Sequence, residues 1–400
     1  MGRPKYEVAE VIRRYGESFF RIHPQPSHHR RTLSALSQCR TAALGGHVDQ
    51  CDECGATRIS YNSCRNRHCP KCQGLSQQRW VEAREADLLP VPYYHLVFTL
   101  PDALNLLCLS NPRSLYHLLF RCSWETVQTF AADHKYLGAQ TGMVAVLHTW
   151  GQNLSLHPHV HAIVPGGGLT PQGQWRMAKG KKKFLFPVKA MSQVFRGKFL
   201  AGLRALRAAG ELAYQGQAAS LSEDAAWREL CHCLYCKPWV IYAKRPFAGP
   251  QQVIRYLGRY THRIAISNHR LRSIENGKVS FSWKDYRQGG KKGLMTLSAN
   301  EFLRRFCLHI LPPGFTRLRH YGILASRNKT QALTQARESL GVEAPPKPSE
   351  KDWQEKLHEV TGLDLGQCPC CKTGRMRLRR GLAPTARSPP AIPIPRPAQP

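Results

Sequence analysis

The stretch Leu156-His157-Pro158-His159-Val160-His161-Ala162-Ile163-Val164 constrains the fold more than any other part of the chain. Residues alternate sides along a strand, so His159 and His161 share one face while Val160, Ala162 and Val164 point the other way into a core. Two imidazoles then converge on one point, and each neutral ring offers one nitrogen to a divalent ion. The stretch therefore asks for a sheet with one apolar face and one metal-binding face. Residues 143–150 alternate as well, Gly151-Gln152-Asn153 offers a turn, and the pair reads as a β-hairpin. A tight turn centred on Gln152-Asn153 puts His148 opposite His157, one same-face step from His159. Either ring completes a three-ligand site; we favour His148, because His157 precedes a proline at the strand entrance.

Charge narrows the partner. Among 400 residues, 58 Lys and Arg stand against 26 Asp and Glu, a formal net charge of +32, and such an excess favours a polyanion. No apolar run reaches the roughly 18 residues that would span a bilayer. The N-terminus also lacks an apolar signal core, which points to the cytoplasm. In that reducing compartment the 15 cysteines, clustered in pairs, read as zinc ligands rather than disulfides.

Cys51-Asp52-Glu53-Cys54 and Cys69-Pro70-Lys71-Cys72 are two C-x2-C pairs at the spacing of a four-thiolate zinc site. Cys39, His47, Cys64 and His68 surround the same segment and offer a second zinc. Arg58, Arg65, Arg67, Lys71 and Arg79 give this module the positive charge that phosphate contact requires. Far downstream, Cys368 and Cys371 form half of another knuckle, with Cys307 and His309, or Cys233 and Cys236, as candidates to complete it.

Helices are expected over 7–46, 79–89, 103–136, 187–215 and 302–311, and strands over 93–100, 239–243, 278–283 and 293–297. Residues 179–183 are a basic loop, and Pro246 to Pro250 breaks the chain. Gly166-Gly167-Gly168 is an exit from the histidine strand; it lacks the Lys and Thr of a phosphate loop. Arg317 to Gly322 is a basic aromatic patch suited to stacking on single-stranded DNA. From about residue 335 the composition becomes that of a linker around Pro345-Pro346-Lys347-Pro348. Beyond Arg375 it reads as a disordered basic tail.

A helix beginning near Gln251 reads Val253-Ile254-Arg255-Tyr256-Leu257-Gly258-Arg259-Tyr260-Thr261-His262-Arg263-Ile264. Val253, Leu257 and Ile264 form an apolar stripe, with Tyr256 on its border and Tyr260 nearly within it. Tyrosines four apart have Cβ atoms about 6 Å from each other, near enough to serve one site in turn. Lys244, Arg245, Arg259 and Arg263 are placed to meet DNA phosphates. A phenol with a pKa near ~10 is a poor nucleophile until a cation assists, and a histidine-held ion is such a cation. Attack by tyrosine would leave a 5′-phosphotyrosine and a free 3′-hydroxyl.

Taken together, Cys64-Arg65-Asn66-Arg67-His68-Cys69-Pro70-Lys71-Cys72, His157-Pro158-His159-Val160-His161 and Tyr256-Leu257-Gly258-Arg259-Tyr260-Thr261-His262-Arg263 resemble the rolling-circle transposases of the insertion-sequence-ninety-one family. These are two-tyrosine members of the HUH endonucleases, named for histidine, hydrophobic, histidine. The resemblance covers roughly residues 20–325. It implies an α+β fold, with an antiparallel-sheet HUH endonuclease domain, helices packed on it, and a small zinc-binding domain before it. It also implies nicking and joining of single-stranded DNA with Mg2+ or Mn2+, with His159 and His161 as metal ligands and Tyr256 and Tyr260 as nucleophiles. The spacing of His148 resembles the three-histidine cluster of conjugative relaxases. The expected domains are 1–90, helical and zinc-binding; 91–330, catalytic; and 331–400, linker, half-knuckle and tail. DNA is the expected partner, in a bacterial, nucleoid-associated setting. The alternatives are a plasmid replication initiator or relaxase with the same chemistry, and a zinc-ribbon regulator without catalysis.

Overall fold

A computed structural model describes residues 4–179, 185–244, 250–285, 289–344, 355, 358, 362 and 364–385, apart from the side chains at 75, 250, 251, 254, 255, 257 and 259. The basic loop after Lys179, Arg245 with the break that follows it, the proline linker at 345–348 and the tail beyond 385 lie outside the described residues.

Two helices open the chain, α1 (Val8–Ile22) and α2 (Ser27–Gln38), followed by a hairpin of β1 (Gly46–Cys51) and β2 (Thr57–Tyr61) and by α3 (Gln73–Glu85). Pro24 and Pro26 divide the one helix expected here, because neither has an amide to donate and each disfavours helix in the residue before it. Next come β3 (Tyr93–Thr99), α4 (Asn105–Ser110), α5 (Pro112–Ala132), β4 (Gly142–Trp150) and β5 (Leu156–Pro165). A ribbon of β6 (Gly167–Leu169) and β7 (Trp175–Met177) leads to α6 (Val188–Ala208), α7 (Asp224–Cys236), β8 (Ile241–Lys244) and α8 (Pro250–Thr261). The chain continues with β9 (Leu271–Glu275), β10 (Lys278–Asp285), β11 (Lys291–Ser298), α9 (Ala299–Cys307), β12 (Leu318–Gly322), α10 (Lys329–Leu340) and β13 (Met376–Leu382).

Five strands form an antiparallel sheet in the order β12-β4-β5-β3-β8, with the histidine strand β5 at its centre. Alternation divides its faces as the sequence requires. Val160, Ala162 and Val164 of β5, Leu96 and Phe98 of β3, and Ala145 and Leu147 of β4 are at most 1 % exposed. They pack with Leu119 and Phe120 of α5 and Phe195 and Phe199 of α6 in the largest core. The helices supply that cover through residues three and four apart, such as Leu115, Leu118, Leu119 and Cys122.

A second core joins distant parts of the chain. Phe19 of α1 and Leu33 of α2 are buried with Phe281 of β10 and Phe302 of α9, and the Val8 amide donates to Asn268 Oδ1 at 3.0 Å. The N-terminal helices thus share their core with residues beyond 265, across the boundary expected near residue 90. The C-terminal segment also returns. Met376–Leu382, at the start of the stretch expected to be a disordered tail, form β13, which pairs antiparallel with β1 in a sheet ordered β13-β1-β2. β1 would otherwise present an unpaired row of amides and carbonyls, and β13 satisfies it. Among the described residues no helix is long and apolar enough to cross a membrane.

Phe98 lies at the centre of the main core, wholly buried and edge-on to Phe195 with ring centroids 5.2 Å apart. Phe98→Ala is expected to lower the unfolding free energy by about 3–5 kcal/mol in a denaturant titration. A loss under about 1 kcal/mol would mean that this face is not what holds the sheet.

Candidate active site on the histidine face

His148, His159 and His161 each place one ring nitrogen within 4.8 Å of the other two. His159 and His161 come from alternate positions of β5, and His148 lies directly opposite His159 on β4. The expected tight turn would have put His148 opposite His157. The connection is instead a longer loop, closed by the Gly151 amide donating to the Ser155 carbonyl at 2.9 Å, and a bulge between His148 and Trp150 shifts the register. His157 is exposed and contributes its carbonyl, which accepts from His159 Nδ1 at 2.7 Å. That bond places the His159 proton on Nδ1 and leaves the Nε2 lone pair to face an ion.

Burial sets the charge state of these rings. It pushes His159 down to about 3, with the His157 ring adding to the effect. Burial first, then neighbouring imidazoles and Arg263, drives His148 and His161 well below the ordinary imidazole range. At neutral pH all three are therefore neutral and keep a lone pair. Three neutral, converging nitrogens, two on buried rings and one on a half-buried ring, are a suitable donor set for a divalent metal ion.

Helix α8 crosses this face and brings both tyrosines to it. The Tyr260 ring centroid lies 4.2 Å from that of His161 and 5.7 Å from that of His148. The Tyr260 hydroxyl donates to the Tyr256 oxygen at 2.9 Å. Burial raises the Tyr256 phenol above its usual range. Gly258 lets the helix approach α3, since a Cβ there would run into Val81 Cγ2. The C-terminal end of α8 is held by donors from the sheet side. His148 Nε2 donates to the Tyr260 carbonyl at 2.7 Å, and Arg317 donates to the carbonyls of Thr261 at 2.6 Å and Arg263 at 3.2 Å. The Tyr260 and Thr261 carbonyls belong to the last turn of α8, where a cation is favoured. Burial, then the charge of Arg67, lowers Arg317 to about 10, so it is still cationic at neutral pH.

The cysteines group differently from the sequence expectation. Cys51 and Cys54 do not meet Cys69 and Cys72. Cys69 and Cys72 gather with Cys39 and Cys64, and Cys51 and Cys54 gather with Cys368 and Cys371, four sulfurs within 4.8 Å in each case. The β1–β2 hairpin explains the split. Cys51 ends β1, whereas Asn62, after β2, returns to Gly45 at the strand's other end with its amide donating to the Gly45 carbonyl at 3.0 Å. The strand rise separates those ends by roughly 17 Å. His47 and His68 stay out of the cluster: His47 Nε2 lies 3.6 Å from Asp49, and His68 is held well below the imidazole range by burial and by Arg67. The Cys39–Cys72 and Cys64–Cys72 sulfur distances are 3.4 and 3.7 Å. A tetrahedral ion with Zn–S bonds of ~2.3 Å would require about 3.8 Å between sulfurs, so the set suits zinc.

Residues 142–332 match the family described as "Putative transposase", and residues 11–100 match the transposase zinc-binding domain. "Putative transposase y4qJ" of Sinorhizobium fredii is 49% identical over 382 residues, 94% of this chain and 95% of that protein. The transposase for insertion sequence element IS801 of Pseudomonas savastanoi is 31% identical over 344 residues, 85% of this chain and 81% of that one. The chain belongs to the insertion-sequence-ninety-one family of transposases. A solved conjugative relaxase, TrwC in complex with oriT DNA, aligns at a TM-score of 0.24 and 14% identity, covering 42% of this chain and 71% of that one. So loose a superposition adds nothing to the geometry.

In this transposase the 142–332 match spans all three histidines and both tyrosines, and the zinc-domain match spans Cys39 to Cys72 but not Cys368 and Cys371. Lys244 Nζ stands 5.2 Å from the Tyr256 ring centroid and the Arg263 guanidinium 5.7 Å from that of Tyr260. Arg245 and the Arg259 side chain lie outside the described residues. Arg317 and Arg319, expected in a DNA-stacking patch, turn to the protein, and Arg319 covers the Phe120 ring at 4.3 Å.

His95 was missed by the sequence reading. Its Nε2 lies 2.9 Å from His161 Nδ1, and its ring stacks on His161 and meets Tyr256 edge-on. The signal was an imidazole inside an otherwise apolar strand, on the same alternation as the ligands across β5. A partner on Nδ1 orients His161, and losing such a partner typically weakens metal binding about 10- to 100-fold. His95→Phe is expected to show that loss in a calorimetric titration with Mn2+. Unchanged affinity would remove His95 from the site.

Proposed function

We propose that this transposase nicks and rejoins single-stranded DNA at its element's ends by tyrosine transesterification, in rolling-circle transposition. The observation that carries the reading is the Tyr260 ring against His161, 4.2 Å between centroids and tilted by 44°, beside three converging neutral imidazoles. A regulator that only binds DNA has no use for two phenols placed on such a site.

His148, His159 and His161 would hold the ion, Mg2+ or Mn2+ in the cell. Bound there, it supplies Lewis acidity toward the scissile phosphate. Imidazole donors bind transition ions more firmly than Mg2+, so Mn2+ is the better probe. A phenolic oxygen attacks phosphorus and gives up its proton to solvent. The bond from phosphorus to the 3′ oxygen breaks, that oxygen takes a proton, and the 5′ phosphate stays esterified to tyrosine. The ester conserves the bond energy, so a 3′-hydroxyl from another strand can reverse the step without a nucleotide cofactor. Two hydroxyls 2.9 Å apart allow one tyrosine to carry a strand while the other attacks.

Lys244 and Arg263, beside the tyrosine rings, with Arg245 and Arg259, supply charge to the DNA backbone. Zinc on Cys39, Cys64, Cys69 and Cys72 fixes the knuckle that leads into α3, the helix against which α8 rests. Such a protein acts in the cytoplasm, on nucleoid DNA.

The test is covalent capture on single-stranded oligonucleotides carrying the element's ends, with Mn2+. The wild type is expected to form a protein–DNA adduct stable to denaturant, and the Tyr256→Phe/Tyr260→Phe double variant none; adduct in the double variant would sink the mechanism. His159→Ala is expected to lower cleavage by more than about 100-fold while the DNA dissociation constant changes little. Wild-type cleavage in that variant would place the metal elsewhere.

A further inference from the structure

Cys51, Cys54, Cys368 and Cys371 lie outside the histidine site, and two of them lie beyond the zinc-domain match. We propose that these four thiolates hold a second, separate zinc ion, which clamps the C-terminal strand onto the N-terminal hairpin. The Cys51–Cys371 and Cys54–Cys368 sulfur pairs are each 3.7 Å apart, and all four sulfurs lie within 4.8 Å of one another. A tetrahedral thiolate site requires about 3.8 Å, whereas disulfide sulfurs would be ~2.05 Å apart.

The backbone is built for an ion. Each C-x2-C is followed at once by a left-handed residue, Gly55 at φ 69° and Lys372 at φ 67°, so both knuckles turn alike. The amides of Cys370 and Gly374 donate to the sulfurs of Cys368 and Cys371 at 3.4 and 3.3 Å, which favours the thiolate form. Gly374 closes over the site, where a Cβ would strike Cys51 Sγ. Around the sulfurs, the Arg375 amide donates to Asp52 Oδ1 at 2.7 Å and the Thr373 hydroxyl to Glu53 at 2.5 Å.

The segment also needs a staple. None of the three apolar cores draws a residue from 364–385, and Leu378 is 70% exposed. Edge pairing with β1 is its main backbone attachment, and a lone edge strand without a buried face is marginal in water. A metal replaces the missing core, as in other small modules. The tyrosine chemistry plays no part in this inference.

The experiment is metal analysis of the purified full-length chain, with thiol mapping. The wild type is expected to carry two zinc ions, Cys368→Ser/Cys371→Ser one, and Cys370→Ser, whose thiol is outside the cluster, two. One zinc in the wild type, or two in the Cys368/Cys371 variant, would overturn the proposal. Should that variant not fold, alkylation of the wild type decides. Cys51, Cys54, Cys368 and Cys371 should be protected together and become reactive together as one equivalent of zinc is withdrawn by chelator. Release of Cys368 and Cys371 without Cys51 and Cys54 would overturn it equally.

Discussion

The arrangement of the histidine–tyrosine site depends on how the end of α8 is held. The last carbonyls of a helix carry partial negative charge and lack donors of their own, and here they are met by His148 and Arg317. The ring that stands opposite His159 therefore also holds the backbone of Tyr260. Tyr260 and the histidine cluster are thus tied by one hydrogen bond. Arg67 extends this tie to the cysteine knuckle, since its guanidinium donates to the carbonyls of Pro312 at 3.2 Å and Phe315 at 2.5 Å, just ahead of Arg317. With α3 resting on α8 at Gly258, the cysteine module bears on the tyrosine helix from two directions.

That connection gives the thiolate clusters a reason beyond their own stability. The β1–β2 hairpin is too short to bury a core, and exposed residues such as Ile59, at 55%, show how little apolar surface it hides. Four-thiolate clusters at its two ends, one built from flanking residues and one drawing on the far end of the chain, hold it in place of packing. Cys39 arrives from the end of α2, and Cys368 and Cys371 from the far end of the chain. The module is therefore assembled late in topology, although most of it comes early in sequence.

Much of the histidine sheet and the tyrosine helix was legible in order along the chain. The alternation of β5 told which side chains enter the core and which share the opposite face, and Val160, Ala162 and Val164 lie where that period puts them. Helical spacing likewise put Tyr256 and Tyr260 on one flank of α8. Patterns of this kind are local, because a period of two or of 3.6 follows from backbone geometry alone. Register across a loop is not local. The His148 to His159 pairing depends on a bulge and a five-residue connection, which no count of intervening residues discloses.

By itself, then, the sequence determined the donor types, their side of each element and the family to which the chain belongs. Tertiary structure alone decided which donors meet. Cys51 and Cys54 find Cys368 and Cys371, rather than the nearer Cys69 and Cys72, because a strand's length keeps the two ends of β1 apart while antiparallel pairing brings β13 back beside it. His95 joins His161 for a similar reason: β3 and β5, separated by two helices and a strand in the chain, are neighbours in the sheet. Partnership across strands is set by hydrogen-bonded register, a property of the assembled sheet and of no single segment.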